Sequence, residues 1–184
     1  MTHEDCGNIE IQNNLWYNAI NSKNLNLYNT LEDTKMERII THIEKADEFF
    51  EKNFHCSQAV FAAFAEELGL TEEQALKIGA CFGSGMRKGE VCGACAGALM
   101  VLGLKYGQAD EHDINSRLKT NEVTDTFLNE FKKENGSYIC RELLGCDLST
   151  PEGINTALEK KLFTNFCPKM VESATRIAED ILNT

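Results

Sequence analysis

The chain has 184 residues, 42% hydrophobic and 26% charged, with a formal net charge of −11. That length and composition fit one globular domain able to bury a core without staples, and the acidic charge argues against nucleic acid or an anionic membrane as a partner, since both are bound through Lys and Arg. The first fourteen residues or so hold no apolar stretch of the secretory kind, and the longest uncharged apolar run, Val91 to Leu104, is too short to span a bilayer. The expectation is a cytoplasmic, reducing location, where eight cysteines point to metal or redox chemistry rather than to a disulfide framework.

Residues 1–35 are rich in asparagine (Asn8, Asn13, Asn14, Asn18, Asn21, Asn24, Asn26 and Asn29) and show no sustained period, so they read as a loosely ordered extension ahead of a helical domain at 36–184. From Met36 the residues Ile39, Ile40, Ile43, Ala46, Phe49 and Phe50 recur at three and four, predicting a helix to about Lys52, with His42 facing solvent. Cys56 to Leu68 is apolar on most sides and reads as a central buried helix stopped by Gly69. Thr71-Glu72-Glu73-Gln74 is a capping box that starts the next helix, which runs through Ala75, Leu76, Ile78 and Phe82 to the turn Gly83–Gly89. Val91 to Tyr106 resumes as a helix rich in small residues. Asp113 to Glu134 follows, with Ile114, Leu118, Val123, Phe127, Leu128 and Phe131 inward. Ser137 then caps a short helix over Cys140 to Leu144. Thr150-Pro151 starts a helix with Ile154, Ala157, Leu158 and Leu162 on one face, and Pro168 marks a last helix striped by Met170, Val171, Ala174, Ile177, Ala178, Ile181 and Leu182. The fold expected is all-α, a single-domain bundle of six to eight helices.

These elements sort the cysteines. Cys56, Cys92, Cys140 and Cys167 fall at helix starts, where unpaired N–H groups and the positive end of the macrodipole favour a thiolate. Cys81 and Cys146 fall near helix ends, Cys6 in the extension, and Cys95 one turn after Cys92 on the same face. If the four helix starts meet, they suit a four-thiolate metal centre or a pair poised for disulfide exchange. Cys92-x-x-Cys95 lacks the strand-helix setting of a thioredoxin motif, is not followed by His, and has no second C-x-x-C to complete a zinc knuckle. His55 reads as a polar residue at an exposed helix start, His112 as solvent-facing, and Arg87-Lys88 as solvated surface.

Cys92-Gly93-Ala94-x-x-Gly97, with Cys56-Ser-Gln-Ala-Val60 upstream, Phe82-Gly-Ser-Gly-Met86, Leu102-Gly-Leu-Lys-Tyr-Gly107 and the downstream Cys140 and Cys167, resembles the C_GCAxxG_C_C family of redox-active proteins over about residues 36–182. The family pattern falls on Cys56, Cys92, Gly93, Ala94, Gly97, Cys140 and Cys167, and leaves Cys6, Cys81, Cys95 and Cys146 as extras. The resemblance implies a helical, cysteine-dependent redox protein and raises an iron-sulfur centre on Cys56, Cys92, Cys140 and Cys167. Gly83, Gly85 and Gly89 are candidate amide donors to such a cofactor, or simply an interhelical turn. Gly93 and Gly97 are candidates by their place in the motif, although their spacing also suits helix packing. Two alternatives stay open: cofactor-free thiol-disulfide exchange with Cys92 as nucleophile and Cys95 or another of the four as resolving partner, and a structural or sensing zinc module. The partner expected is a redox protein or a small-molecule thiol or disulfide.

Overall fold

The computed structural model describes residues 42–184. The asparagine-rich extension, the helix start at Met36 and Cys6 lie outside the described residues. Within them the chain is all-α. Helix α1 is described over 42–51, followed by α2 (Cys56–Ala63), α3 (Glu72–Gly79), α4 (Gly93–Tyr106), α5 (Ile114–Asn135), α6 (Cys140–Leu144), α7 (Pro151–Glu159), α8 (Leu162–Asn165) and α9 (Cys167–Leu182). The only extended pairing among the described residues is an isolated antiparallel bridge between Val91 and Ile139.

Helix α2 is central because its sequence leaves it no polar face: Ser57 to Ala63 are all buried. It packs on α3, α4 and α9, while α4 also packs on α5 and α9. The core between them holds Phe61, Phe64, Val101, Leu102, Phe127, Phe131 and Val171, each almost fully buried and each worth about 1.5–3 kcal/mol relative to exposure. Close approach of α4 to α2 depends on Gly97, where a Cβ would lie 2.6 Å from Ser57 O and 3.0 Å from Val60 Cβ. Ser57 and Gln58 lock the start of α2 to the end of α3. Ser57 Oγ donates to Gly79 O at 2.8 Å and Gln58 Nε2 to Leu76 O at 2.8 Å, satisfying carbonyls that the last turn of α3 leaves open.

The capping box at Thr71 and the Thr150 cap form as the sequence predicts. The Gln74 N–H donates to Thr71 Oγ1 at 3.2 Å, the Thr71 N–H to Gln74 Oε1 at 3.0 Å, and the Gly153 N–H to Thr150 Oγ1 at 3.0 Å. Several expectations need correction. The helix expected over Cys56 to Leu68 gives way after Ala63 to a 3-10 turn at Glu66–Leu68 that ends on Gly69 in the left-handed region at φ 80°. Val91 sits in the bridge to Ile139, so α4 begins one residue after Cys92, which is its N-cap. Ser137 does not cap α6; its hydroxyl accepts from the Ile139 N–H at 3.0 Å and donates to Glu142 Oε2 at 2.5 Å. Ile114 and Leu118 are exposed rather than inward, because α5 has 22 residues against 14 in α4 and 16 in α9, and its first turns outreach the helices it packs on. Leu158 is exposed for a related reason, since α7 packs mainly on the four-residue α8.

His42 is the largest departure. It is 1% exposed, stacked on Phe64 at 4.1 Å between ring centroids, with Nδ1 2.7 Å from Glu179 Oε2 and Nε2 3.2 Å from Glu67 Oε1. Both are ion-pair distances, although neither nitrogen is aligned as a hydrogen bond. The apolar stripe of α1 is thus continued by an imidazole whose ring packs like an aromatic and whose nitrogens face carboxylates.

Candidate functional site

Four separate helix starts end on one cavity of about 600 Å³. Cys56, Cys92, Cys140 and Cys167 all line it, with Phe50, Phe54, Leu143, Leu144, Leu148, Phe163, Phe166 and Met170 as apolar wall and Asp47, Glu51, His55 and Ser84 as polar wall. Among the described residues no Lys or Arg lines it. Cys56, Cys140 and Cys167 are the first residues of α2, α6 and α9, and Cys92 caps α4.

Local hydrogen bonding explains how residues so distant in sequence meet. The Cys92 N–H donates to Tyr138 O at 2.8 Å and the Cys140 N–H to Glu90 O at 2.6 Å, on either side of the Val91–Ile139 bridge. That short lacing puts Cys92 opposite Tyr138 and Cys140 opposite Glu90, so the two cysteines stand diagonally across the bridge, and an ion pair between Arg141 and Glu90 braces it. The loop before it is left-handed, with Ser84, Gly85, Met86 and Arg87 all at φ between 54° and 62° and Gly89 at 67°. A run of non-glycine residues in that region is costly and persists only where surrounding contacts hold it. One such contact is with the site: the Ser84 N–H points at the Cys56 sulfur, joined by the amides of Ser57 and Cys56 itself.

The candidate glycines close the backbone on protein atoms. A Cβ on Gly93 would lie 2.4 Å from Cys56 Sγ, one on Gly85 2.5 Å from Glu90 N and 3.0 Å from Cys140 Cβ, and one on Gly83 2.5 Å from His55 Cγ. Gly93 and Gly85 thereby leave room for two of the four cysteines, and Gly97 sets the α2–α4 spacing that carries a third. The amides turned to sulfur belong to Ser84, Ser57, Cys56, Ala94 and Cys95 rather than to these glycines.

The expectation that helix starts favour thiolates holds for one cysteine of the four. Burial pushes Cys56 up to about 12, aided by the neighbouring charge of Cys92 and opposed by its amide donors. Burial likewise pushes Cys167 up to about 12 and raises Cys140, each further raised by the other cavity thiols. Only Cys92 is lowered, chiefly because the Cys95 thiol donates to it, with help from the Ala94 and Cys95 amides against its own burial. The reason is one of magnitude: a helix terminus contributes about 0.3–1 kcal/mol, under one pKa unit, while full burial shifts a group by up to about 3–5 units.

The remaining described cysteines, Cys81, Cys95 and Cys146, do not line the cavity. Cys95 is fully buried behind Cys92 in α4 and does not line the cavity. Cys146 is half-buried near Cys140 and Cys167, whose pKa values its charge raises, and Cys81 is exposed in the 3-10 turn Ala80–Phe82.

A family model described as "Putative redox-active protein (C_GCAxxG_C_C)" matches residues 54–181. The chain belongs to the C_GCAxxG_C_C family. The matched span runs from just before Cys56 to near the end of α9 and so includes every element that carries a cavity cysteine in this family member. No curated protein and no solved structure matches the chain. Among the described residues of this C_GCAxxG_C_C protein, no helix is long and apolar enough to cross a membrane, and no three Cys, His, Asp or Glu side chains group as a site for a metal ion.

Two positioning roles were missed in the sequence. Ser57 and Gln58 stand in the Cys-Ser-Gln-Ala-Val string, and a polar pair opening an otherwise apolar helix was the available signal. Ser84 gave none, because nothing local marks a serine between two glycines as left-handed.

Proposed function

We propose that this protein transfers electrons through an iron-sulfur centre held by Cys56, Cys92, Cys140 and Cys167. The observation that carries the reading is the convergence of four helix-start thiols on one largely apolar cavity. Four Cys thiolates are the usual donor set of such clusters. The thiol chemistry fits as well: three of the four resist ionisation because they are buried and repel one another, and a cationic metal core is what allows buried thiols to lose their protons together. A single zinc ion is less well supported, since a four-thiolate zinc draws every sulfur to about 2.3 Å of one point and no three such side chains among the described residues group around one ion.

When bound, such a centre supplies reversible electron transfer. The protein's own part is to hold and tune it. The amides of Ser84, Ser57, Ala94 and Cys95 direct partial positive charge at Cys56 and Cys92, and the helix starts add to it. Phe50, Phe54, Phe163 and Phe166 give the sulfurs largely apolar surroundings. Asp47 and Glu51 make part of the wall acidic, which suits a redox partner that presents basic residues there.

Purification without oxygen, followed by absorption spectroscopy and analysis for iron, sulfide and zinc, tests the proposal. Brown protein with iron and sulfide in fixed ratio to chain supports it. Colourless protein with one zinc per chain would replace it with the zinc module. Metal-free protein whose cavity thiols titrate in a single two-electron step would replace it with thiol-disulfide exchange.

A further inference from the structure

Cys95 lies outside the family pattern, and the four-thiol site does not use it. It occupies the third position of α4, with Cys92 as the N-cap, so the two side chains meet on one face across the first turn. Cys95 is fully buried and off the cavity, whereas Cys92 lines it. An oxidant that enters the cavity therefore reaches Cys92 before Cys95, and attack at Cys92 leaves a second thiol behind it.

We infer that Cys92 and Cys95 form an oxidisable pair that small hydroperoxides close to a disulfide, removing Cys92 from the four-thiol set. The Cys92 thiol sulfur attacks one peroxide oxygen, the O–O bond breaks, and the departing oxygen takes the Cys92 proton to leave as water or alcohol, so that Cys92 becomes a sulfenic acid. The Cys95 sulfur then attacks the Cys92 sulfur, the S–O bond breaks, and the departing hydroxyl takes the Cys95 proton to leave as water. In sum two thiols are oxidised to one disulfide and one hydroperoxide is reduced. A small-molecule dithiol reopens the pair by exchange. Closure of the pair stands on its own geometry; its consequence, that the oxidised chain no longer loads the centre, rests on the function proposed above.

Cleavage after Lys and Arg tests the pair cleanly, because residues 89–105 form one peptide that contains Cys92, Cys95 and no other cysteine. The full chain, stripped of metal and reduced, is treated with hydrogen peroxide, alkylated, digested and weighed. The expected product is peptide 89–105 lighter by two hydrogens and unalkylated. In Cys95→Val the Cys92 sulfenic acid persists, and a sulfenic-acid trap labels peptide 89–105 at least about tenfold more than in the wild type. A link from Cys92 to Cys56, or a peptide 89–105 that keeps both thiols while Cys81 oxidises, overturns the inference. The wild-type mapping decides it even if Cys95→Val does not fold.

Loading separates this inference from the proposed function. Reduced chain that takes up iron and sulfide, oxidised chain that does not, and recovery with dithiothreitol support the switch. Equal loading of both forms overturns it, and failure of both forms to load with the 89–105 link present sinks the iron-sulfur reading while leaving the pair intact.

Discussion

The two hydrophobic clusters among the described residues hold two cavity cysteines each, yet they differ greatly in size. Cys92 belongs to the large core and Cys56 packs against it, among residues of α2, α4, α5 and α9 such as Phe61, Phe127 and Ala174. Cys140 belongs to a small cluster with Leu144, Leu148 and Ala157, against which Cys167 packs. The site is therefore a seam. A rigid half presents two thiols, a half with little buried area of its own presents the other two, and whatever binds all four joins the halves. Local opening is expected on the small side, where few apolar contacts oppose it.

Substitutions on the two sides test that contrast. Phe127→Ala, in the middle of the large core, is expected to cost about 3–5 kcal/mol in urea melts and to loosen the whole domain. Gly153→Ala acts on the small side, where a Cβ would stand 1.8 Å from Asp147 O. Its expected cost is about 1–3 kcal/mol, read as faster hydrogen exchange across α6 and α7 with α2 and α4 amides unchanged. Uniform loss of protection in that variant would show the two regions to be one cooperative unit.

The thiols themselves give the contrast a pH dependence. Cys56 on one side and Cys167 on the other are pushed from the ordinary value of 9.0 up to about 12. Above the ordinary value the unfolded chain releases these protons and the folded chain keeps them, so the metal-free fold loses stability as pH rises. The expected slope between about pH 9 and about pH 12 is about 1.4 kcal/mol per pH unit for each such thiol, measured by urea melts at stepped pH. A bound metal that has already displaced the protons flattens it. At the small end of the scale, Leu118→Ser on the overhanging turns of α5 is expected to change stability by less than about 0.5 kcal/mol.

Much of this was legible in sequence, for reasons that can be named. Helical periodicity in α1 and α9, the Thr71 capping box and the Thr150-Pro151 start are local signals, and the structure contains them where the residues put them. Leu118 and Leu158 misled because a three-four spacing shows which side of a helix is apolar but not whether a neighbouring helix reaches that far. His42 misled because imidazole is amphipathic, and its burial depends on Phe64, Glu67 and Glu179, which arrive from elsewhere in the chain. For the site, helix punctuation and the family motif singled out the same four cysteines. The Val91–Ile139 lacing and the left-handed turn at Ser84 are tertiary features with no local trace, and so is the burial that leaves Cys92 alone with a lowered pKa.

The iron content of single Cys→Ser variants, prepared without oxygen beside Cys81→Ser, tests most directly whether the four thiols act as one site. The account predicts that Cys56→Ser, Cys92→Ser, Cys140→Ser and Cys167→Ser each lose most of the iron and the visible absorption, while Cys81→Ser keeps both. Iron retained at the wild-type level in Cys92→Ser, Cys140→Ser and Cys167→Ser would contradict it.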